Sequence, residues 1–408
     1  MKSLLRAFST VWRRPRSPSR PRAVQQAGIK TLNPADIIEE ERLPHYHPSI
    51  FYPVRIGDVF KDQYKVLSKL GFGSNSTVWL CRDLIKDQYV ALKVCISSPK
   101  PNREVEILKH LSSKTSDGGA HFVRSLQDSF EIQSSSGTHQ CLVHEPLLAS
   151  LYDLQCTLVP KNLTEDLLKT TLQQIFAGLH FLHFEAHIVH TATDLQAKNI
   201  MISCSDPSIF EEWDKAELDE PSPRKVDGER IVYQSRQFEL RKYIRGVGRC
   251  LIADMGMAQI GKEHTGFIEP EIYRAPEVML CMPWGPPADI WNIGVMTWDL
   301  FENEHLFSCG GNDRKLSNAR ILAQMIALLG PPPRDFLQRA DETLAYWNHN
   351  GDWKDSADIP EYSFEDCEVY LDGEGRKQFL AFLRKMLCWE PEKRYSALEL
   401  LQDEWLNT

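Results

Sequence analysis

The chain has no run of about 18 consecutive apolar residues, so no membrane-spanning helix is expected. Its ten cysteines never form a C-x-x-C pair. That spacing argues against zinc modules, and with no secretory signal in view the scatter reads as a reduced compartment. Internal repeats are absent. Acidic residues are missing from positions 1–35, which hold Lys2, Arg6, Arg13, Arg14, Arg16, Arg20, Arg22 and Lys30. The net charge of the whole chain is −9, so those eight cations leave −17 on the remainder. An acidic body argues against broad nucleic-acid binding and suits basic partners. Apolar residues make up 42% and charged residues 25% of the 408 positions, an ordinary globular composition. Wholesale disorder, a collagen repeat and a disulfide miniprotein are excluded. The length suggests two or three compact units with a core that needs no crosslinks.

The first 30 or so residues read as separate from the fold. Leu4, Leu5, Phe8, Val11 and Trp12 share a helical face ringed by Arg6, Arg13 and Arg14. An arginine-rich, serine-rich, acid-free segment has the composition of a mitochondrial presequence, and equally that of a disordered basic tail. Between residues 55 and 96, Tyr64–Leu67, Thr77–Leu80 and Tyr89–Val94 alternate apolar and polar side chains, as antiparallel strands do. Residues 102–112 read as a helix. Leu168, Leu172, Ile175, Leu179 and Leu182 step by three and four, which predicts a helix with one buried stripe. Asn162 with Glu165 predicts a capping box at its start. A small β-rich part therefore precedes a larger helical part. The acidic runs 211–220 and 352–374 read first as solvated surface.

Gly71-Phe72-Gly73-Ser74-Asn75-Ser76 is a G-x-G-x-x-S loop. A strand, Thr77-Val78-Trp79-Leu80, follows it rather than the helix that a dinucleotide fold requires. The loop thus sits in a hairpin, where glycines let backbone N–H groups approach phosphate oxygens. Lys93 lies in the apolar strand Val90-Ala91-Leu92-Lys93, and a lysine there needs an acidic partner. The next helix supplies Glu104, and such a pair orients an ammonium onto ATP phosphates.

From this point the chain resembles a eukaryotic protein kinase. His190-Thr191-Ala192-Thr193-Asp194-Leu195-Gln196-Ala197-Lys198-Asn199 is similar to the catalytic loop, with its D-x-x-x-x-N spacing. Asp254-Met255-Gly256 is similar to D-F-G, Ala275-Pro276-Glu277 matches A-P-E, and Asp289 and Arg394 fall where the family anchors its catalytic loop and its A-P-E glutamate. The resemblance spans about residues 64–408. It implies an α+β, bilobal protein-kinase-like fold with a small β-rich N-lobe and a larger α-helical C-lobe. It divides the chain into a basic segment 1–45, disordered or targeting, an N-lobe 60–146 and a C-lobe 147–408. It also implies that Asp194, Lys93 and Glu104 are catalytic, that Leu70, Gly71, Gly73, Ser76, Val78, Ala91, Lys93, Glu145 and Leu147 bind the nucleotide, and that Asn199 and Asp254 hold Mg²⁺.

His190-Thr191, Leu70-Gly71-Phe72-Gly73, the spacer at about 204–248 and Ala327–Pro332 resemble the SR-protein-specific kinases of the CMGC group, fungal relatives included. The CMGC insert would lie near 303–375. The resemblance implies a monomeric serine/threonine kinase using ATP and Mg²⁺, protein substrates rich in Arg-Ser or otherwise basic, no direct nucleic-acid partner, and a nuclear or cytoplasmic setting against the mitochondrial one of the basic segment. Thr191 replaces the arginine that an activation-loop phosphate would neutralise, and Thr265 is the sole Ser or Thr between Asp254 and Glu277. Activity without activation-loop phosphorylation is expected.

The chain departs from the pattern at four places. Ala192-Thr193 lengthens the stretch between His190 and Asp194, Gln196 replaces a lysine that neutralises the transferring phosphoryl, with Lys198 nearby, and Glu271 replaces an arginine of the group. His144 falls at the gatekeeper position before the hinge, where a core histidine is the plainer reading of its chemistry. These departures keep a second expectation in view: a pseudokinase that binds nucleotide or protein as a scaffold. A small-molecule kinase is disfavoured by the A-P-E segment and the insert.

Overall fold

The computed structural model describes residues 29–98, 102–114, 118–191, 195–236, 239–302, 304–309 and 314–408. Residues 1–28, and with them the presequence-like face, lie outside the described residues.

The first lobe is an antiparallel sheet followed by a helix. β1 (Val59–Phe60), β2 (Tyr64–Gly73), β3 (Ser76–Asp83) and β4 (Gln88–Cys95) lead into α1 (Arg103–Ser112), then β5 (Asp128–Ser134) and β6 (Gly137–His144). The strands lie in the order β1-β2-β3-β4-β6-β5. β2 and β3 close the hairpin through the pair Gly73↔Ser76. Asn102 caps α1, its side chain accepting the N–H groups of Glu104 and Val105 at 3.0 and 3.4 Å. The cap sets the helix phase that turns Glu104 towards the sheet.

A short connection, β7 (Leu147–Ser150) and α2 (Leu151–Thr157), leads to α3 (Glu165–His180). Leu168, Leu172, Ile175, Leu179 and Leu182 are all buried, as the periodicity predicts. Each such side chain contributes about 1.5–3 kcal/mol by leaving water. The expected Asn162–Glu165 capping box is absent. Thr164 caps α3 by accepting the Leu167 N–H at 3.4 Å, while Asn162 donates to the Phe301 carbonyl at 3.0 Å. Leu163 is fully buried and its N–H bonds the Leu300 carbonyl at 2.8 Å, which holds the chain extended through 163 and delays the helix start by two residues.

β8 (Ile188–Val189), β9 (Ile200–Cys204), α4 (Ser208–Asp219), the hairpin β10 (Arg224–Asp227) and β11 (Arg230–Tyr233), β12 (Val247–Ile252) and β13 (Gln259–Ile260) come next, then α5 (Pro276–Met279), α6 (Pro286–Glu302) and α7 (Arg314–Leu329). α6 is apolar on nearly every face and nearly every residue is buried, so it is a central core helix.

The spacer and the chain before β1 pack against the first lobe. Trp213 of α4 donates to Ser68 Oγ at 3.0 Å, and the Arg236 N–H reaches the Lys69 carbonyl at 3.1 Å. The Lys69 side chain is completely buried; its ammonium meets Glu40, lies 3.5 Å from Glu39 and donates to the Tyr233 carbonyl at 3.1 Å. Of the acidic run 211–220, Glu217 is buried and bound by Arg236 at 2.7 Å. In the run 352–374, Glu368 is buried against Arg376 and Glu365 pairs with Arg384 at 2.7 Å. Both runs are therefore only partly solvated.

Candidate active site

Lys93 and Glu104 meet across the gap between β4 and α1, Lys93 Nζ lying 2.8 and 2.7 Å from the two carboxylate oxygens. Lys93 is cross-strand from Leu142, and Ala91 from His144, so alternate residues of β4 carry Ala91 and Lys93 on one face. Burial pulls the Lys93 pKa down, but Glu104 and then Asp254 more than offset it, and the net shift is upward. The side chain is an ammonium throughout the physiological range. Asp254 Oδ1 lies 3.9 Å from Lys93 Nζ. Asp254 adopts φ 58°, a left-handed conformation uncommon outside glycine and Asn/Asp; its side chain accepts the Gly256 N–H at 3.3 Å.

Beside this cluster lies a cavity of about 490 Å³ walled by Leu70, Gly71, Val78, Ala91, Leu147 and Met201, among others. Five of the nucleotide residues expected from sequence, namely Leu70, Gly71, Val78, Ala91 and Leu147, are on that wall. Gly73, Ser76, Lys93 and Glu145 are not. Gly73 and Ser76 form the hairpin end, and Glu145 faces Arg249 at 3.3 Å. A Cβ added to Gly71 would meet no protein atom within 4 Å, so the space over the loop is open to a ligand.

Asp194, Ala192 and Thr193 lie outside the described residues. The chain on either side is well tied. Asp289, wholly buried, accepts the His190 and Thr191 N–H groups at 2.8 and 3.1 Å and the His183 ring at 2.8 Å. Thr191 donates its hydroxyl to the Met257 carbonyl at 2.8 Å. Asn199 is pinned by its backbone, its N–H bonding the Gln196 carbonyl at 2.8 Å and its carbonyl accepting the Ala253 N–H at 3.0 Å. That bond sets Asn199 one strand pairing from Asp254. Lys198 is exposed and lies 5.1 Å from the centre of the Tyr152 ring. Glu271 accepts from Ser317 Oγ at 2.9 Å. Arg394 grips Glu277 with two bonds of 2.7 and 2.6 Å.

Sequence reasoning missed Arg124, Leu148, Met201 and Leu240, which also line the cavity. The apolar ones carry no motif. Arg124 stands out only as a lone cation directly after Phe122-Val123. Among the described residues no group of three or more His, Cys, Asp and Glu converges on a point. Two oxygen ligands such as Asn199 and Asp254 suit a hard divalent ion that takes its other ligands from phosphates and water.

The arrangement is that of a phosphotransferase, and comparison with known proteins agrees. Residues 64–406 match the protein kinase domain. A serine/threonine protein kinase of Aspergillus fumigatus is 51% identical over 391 residues, 96% of both chains. The serine/threonine-protein kinase SRPK of Physarum polycephalum is 31% identical over 90% of this chain and 91% of its own. SRSF protein kinase 3 of Mus musculus is 25% identical, covering 93% and 92%. A crystallised kinase domain superposes with a TM-score of 0.66 at 22% identity, over 88% of this chain and 99% of that one, which shows the bilobal fold. The chain belongs to the protein kinase family, and within it to the SRPK kinases of the CMGC group. It is a protein serine/threonine kinase, an enzyme of a family that uses ATP and a divalent metal ion. The pseudokinase alternative finds no support among these relatives. No helix among the described residues is long and apolar enough to cross a membrane.

Proposed function

We propose that the enzyme transfers the γ-phosphoryl group of MgATP to serine or threonine hydroxyls in basic, Arg-Ser-rich protein segments. The observation that carries this reading is the Lys93–Glu104 pair, with Asp254 3.9 Å away, beside a cavity of about 490 Å³ whose wall includes Leu70, Val78, Ala91 and Leu147. Leu70, Val78, Ala91 and Leu147 sandwich the base, with backbone groups at Glu145 and Leu147 along its edge. Gly71, Gly73 and Ser76 offer backbone N–H groups to the phosphates. Lys93, aimed by Glu104, neutralises phosphate charge. Asn199 and Asp254 would hold Mg²⁺, which would supply positive charge to offset that of the phosphates. Asp194 orients the substrate hydroxyl and accepts its proton. In this scheme nearly all of the rate enhancement comes from positioning and charge stabilisation.

Backbone pairing and one hydroxyl tie the activation segment to the rest of the lobe. β13 pairs with β8, the His264 and Trp284 backbones exchange bonds of 2.8 and 2.9 Å, and the neutral Thr191 hydroxyl binds Met257 where the family has a cation. Activity is therefore intrinsic, and Thr265→Ala retains the wild-type rate.

Charge supports the substrate class. After Glu365 and Glu368 are consumed by Arg384 and Arg376, Asp355, Asp358, Glu361 and Asp372 still face solvent. They attract a guanidinium-rich peptide. The test is steady-state transfer to Arg-Ser, Lys-Ser and acidic peptides at two ionic strengths. The reading expects the lowest KM for Arg-Ser and a several-fold rise with salt; equal use of the acidic peptide would remove the substrate assignment. For location, the family resemblance favours nucleus or cytoplasm and the basic segment favours mitochondria. Residues 1–35 fused to a fluorescent protein decide between them.

A further inference from the structure

The chemistry above leaves two polar side chains unused: Arg124 on the cavity wall, and His144 on the sheet strand beside it, paired with the wall residue Ala91. Val123 bridges Ile252, and the Arg124 N–H donates to the Ile252 carbonyl at 2.9 Å. This holds Arg124 where its side chain joins Ala91, Val78 and Leu147 on the cavity wall. Its Nε is buried and has no hydrogen-bond partner. Glu104, Asp254 and Glu145 act on it only through space. Burial lowers the guanidinium pKa and those carboxylates resist the shift; arginine stays charged.

His144 lies opposite Ala91, and Leu142, two residues earlier, opposite Lys93. His144 is thus on the sheet face that carries Ala91 and Lys93. Its Nδ1 is 2.8 Å from the Ser125 carbonyl oxygen. A carbonyl only accepts, so Nδ1 bears the hydrogen and Nε2 of the neutral ring is a bare acceptor. Burial, and then Arg124, hold the ring neutral, well below the ordinary histidine value. Nε2 is buried without a partner. A donor lacking an acceptor and an acceptor lacking a donor are therefore carried by neighbouring positions behind the base site, and such groups are costly unless something completes them.

We propose that Arg124 and His144 read one edge of the adenine: Arg124 donates to N7, and His144 Nε2 accepts from the 6-amino group. This rests on the cavity being the nucleotide site. Adenine presents an N7 acceptor beside an amine donor there, whereas guanine presents two acceptors, N7 and O6. The 6-amino group has two hydrogens, one for the hinge backbone and one for His144. The arginine suits both purines; the histidine lone pair suits adenine and repels O6. The pair makes this kinase selective for ATP over GTP and dependent on N7.

The test is calorimetric binding of the Mg²⁺ complexes of ATP, 7-deaza-ATP and GTP to the full chain, which reads the base contacts without turnover. Replacing N7 by C–H should weaken binding to wild type about ten-fold or more, the worth of a bond from a charged donor. Arg124→Met should bind ATP and 7-deaza-ATP equally, and His144→Phe should narrow the ATP-to-GTP ratio. Equal binding of ATP and 7-deaza-ATP by wild type overturns the Arg124 assignment with no variant needed. An unchanged ATP-to-GTP ratio in His144→Phe overturns the His144 assignment. A folded wild type that binds none of the three overturns the nucleotide reading itself, a result distinct from either of these.

Discussion

Arg394→Met isolates the bond that ties the end of the activation segment to the helical lobe. Arg394 and Glu277 are 117 positions apart, and their side chains are 0% and 1% exposed. Their two bonds of 2.7 and 2.6 Å form a bidentate pair. Arg394 also donates to the Cys388 and Pro287 carbonyls at 3.1 and 2.9 Å and lies 5.1 Å from the centre of the Trp291 ring. Burial alone would lower its pKa, yet Glu277 raises it, so the charged pair is the stable form. Methionine fills much of the volume but leaves a buried carboxylate with no cation. Breaking a buried pair on one side costs about 3–5 kcal/mol. At about 2–4 °C per kcal/mol for a larger domain, Tm should fall by roughly 6–20 °C. Guanidinium denaturation of wild type, Arg394→Met, Glu277→Gln and the double variant completes the cycle. The double variant should be more stable than Arg394→Met, because it no longer buries an orphan charge. A loss below about 1 kcal/mol, the size of a surface pair, or a double variant no better than Arg394→Met, would refute the reasoning.

Glu104→Gln keeps the size of the side chain that aims Lys93 but removes its charge; kcat/KM should drop by about 10²–10³, and an unchanged kcat/KM would contradict the role. Lys69→Met leaves Glu40 buried without its ammonium, so unfolding free energy should fall by about 3–5 kcal/mol; a change within about 0.5 kcal/mol would show the strap before β1 to be energetically idle. Burial, and then Glu368, raise the Glu302 pKa from 4.5 to about 7. An acid with a raised folded value contributes stability that is complete below the unfolded value and is lost as pH rises through the folded one. Wild type should therefore lose more stability than Glu302→Gln between pH 4.5 and 7; parallel profiles of Tm against pH would be inconsistent with this.

What could be read ahead of the structure was what short-range pattern encodes. The α3 stripe follows from a three-four spacing, and Lys93, Glu104, Glu277 and Arg394 stand in motifs whose chemistry demands partners. The spacer was visible in the sequence, but how it and the strap pack on the first lobe was not. Lys69 finds Glu40 at a separation of 29 positions and Tyr233 at 164, and Trp213 finds Ser68 at 145. No periodicity announces such contacts; they arise because the spacer folds back on the first lobe. The cap of α3 shifted from Asn162 to Thr164 because a neighbouring backbone bond keeps Leu163 extended. His144 was visible as an odd gatekeeper, but its tautomer depends on Ser125, and Arg124 gains meaning only from the wall it shares with Ala91.

Phosphoryl transfer by this chain is tested most directly by incubating the purified protein with radiolabelled ATP, Mg²⁺ and an Arg-Ser repeat peptide, beside Asp194→Asn. The account predicts label on the peptide serines from wild type, without prior phosphorylation of Thr265, and a loss of at least about 10²-fold in Asp194→Asn. Equal transfer by wild type and Asp194→Asn, or none from a folded wild type that binds MgATP, would contradict it.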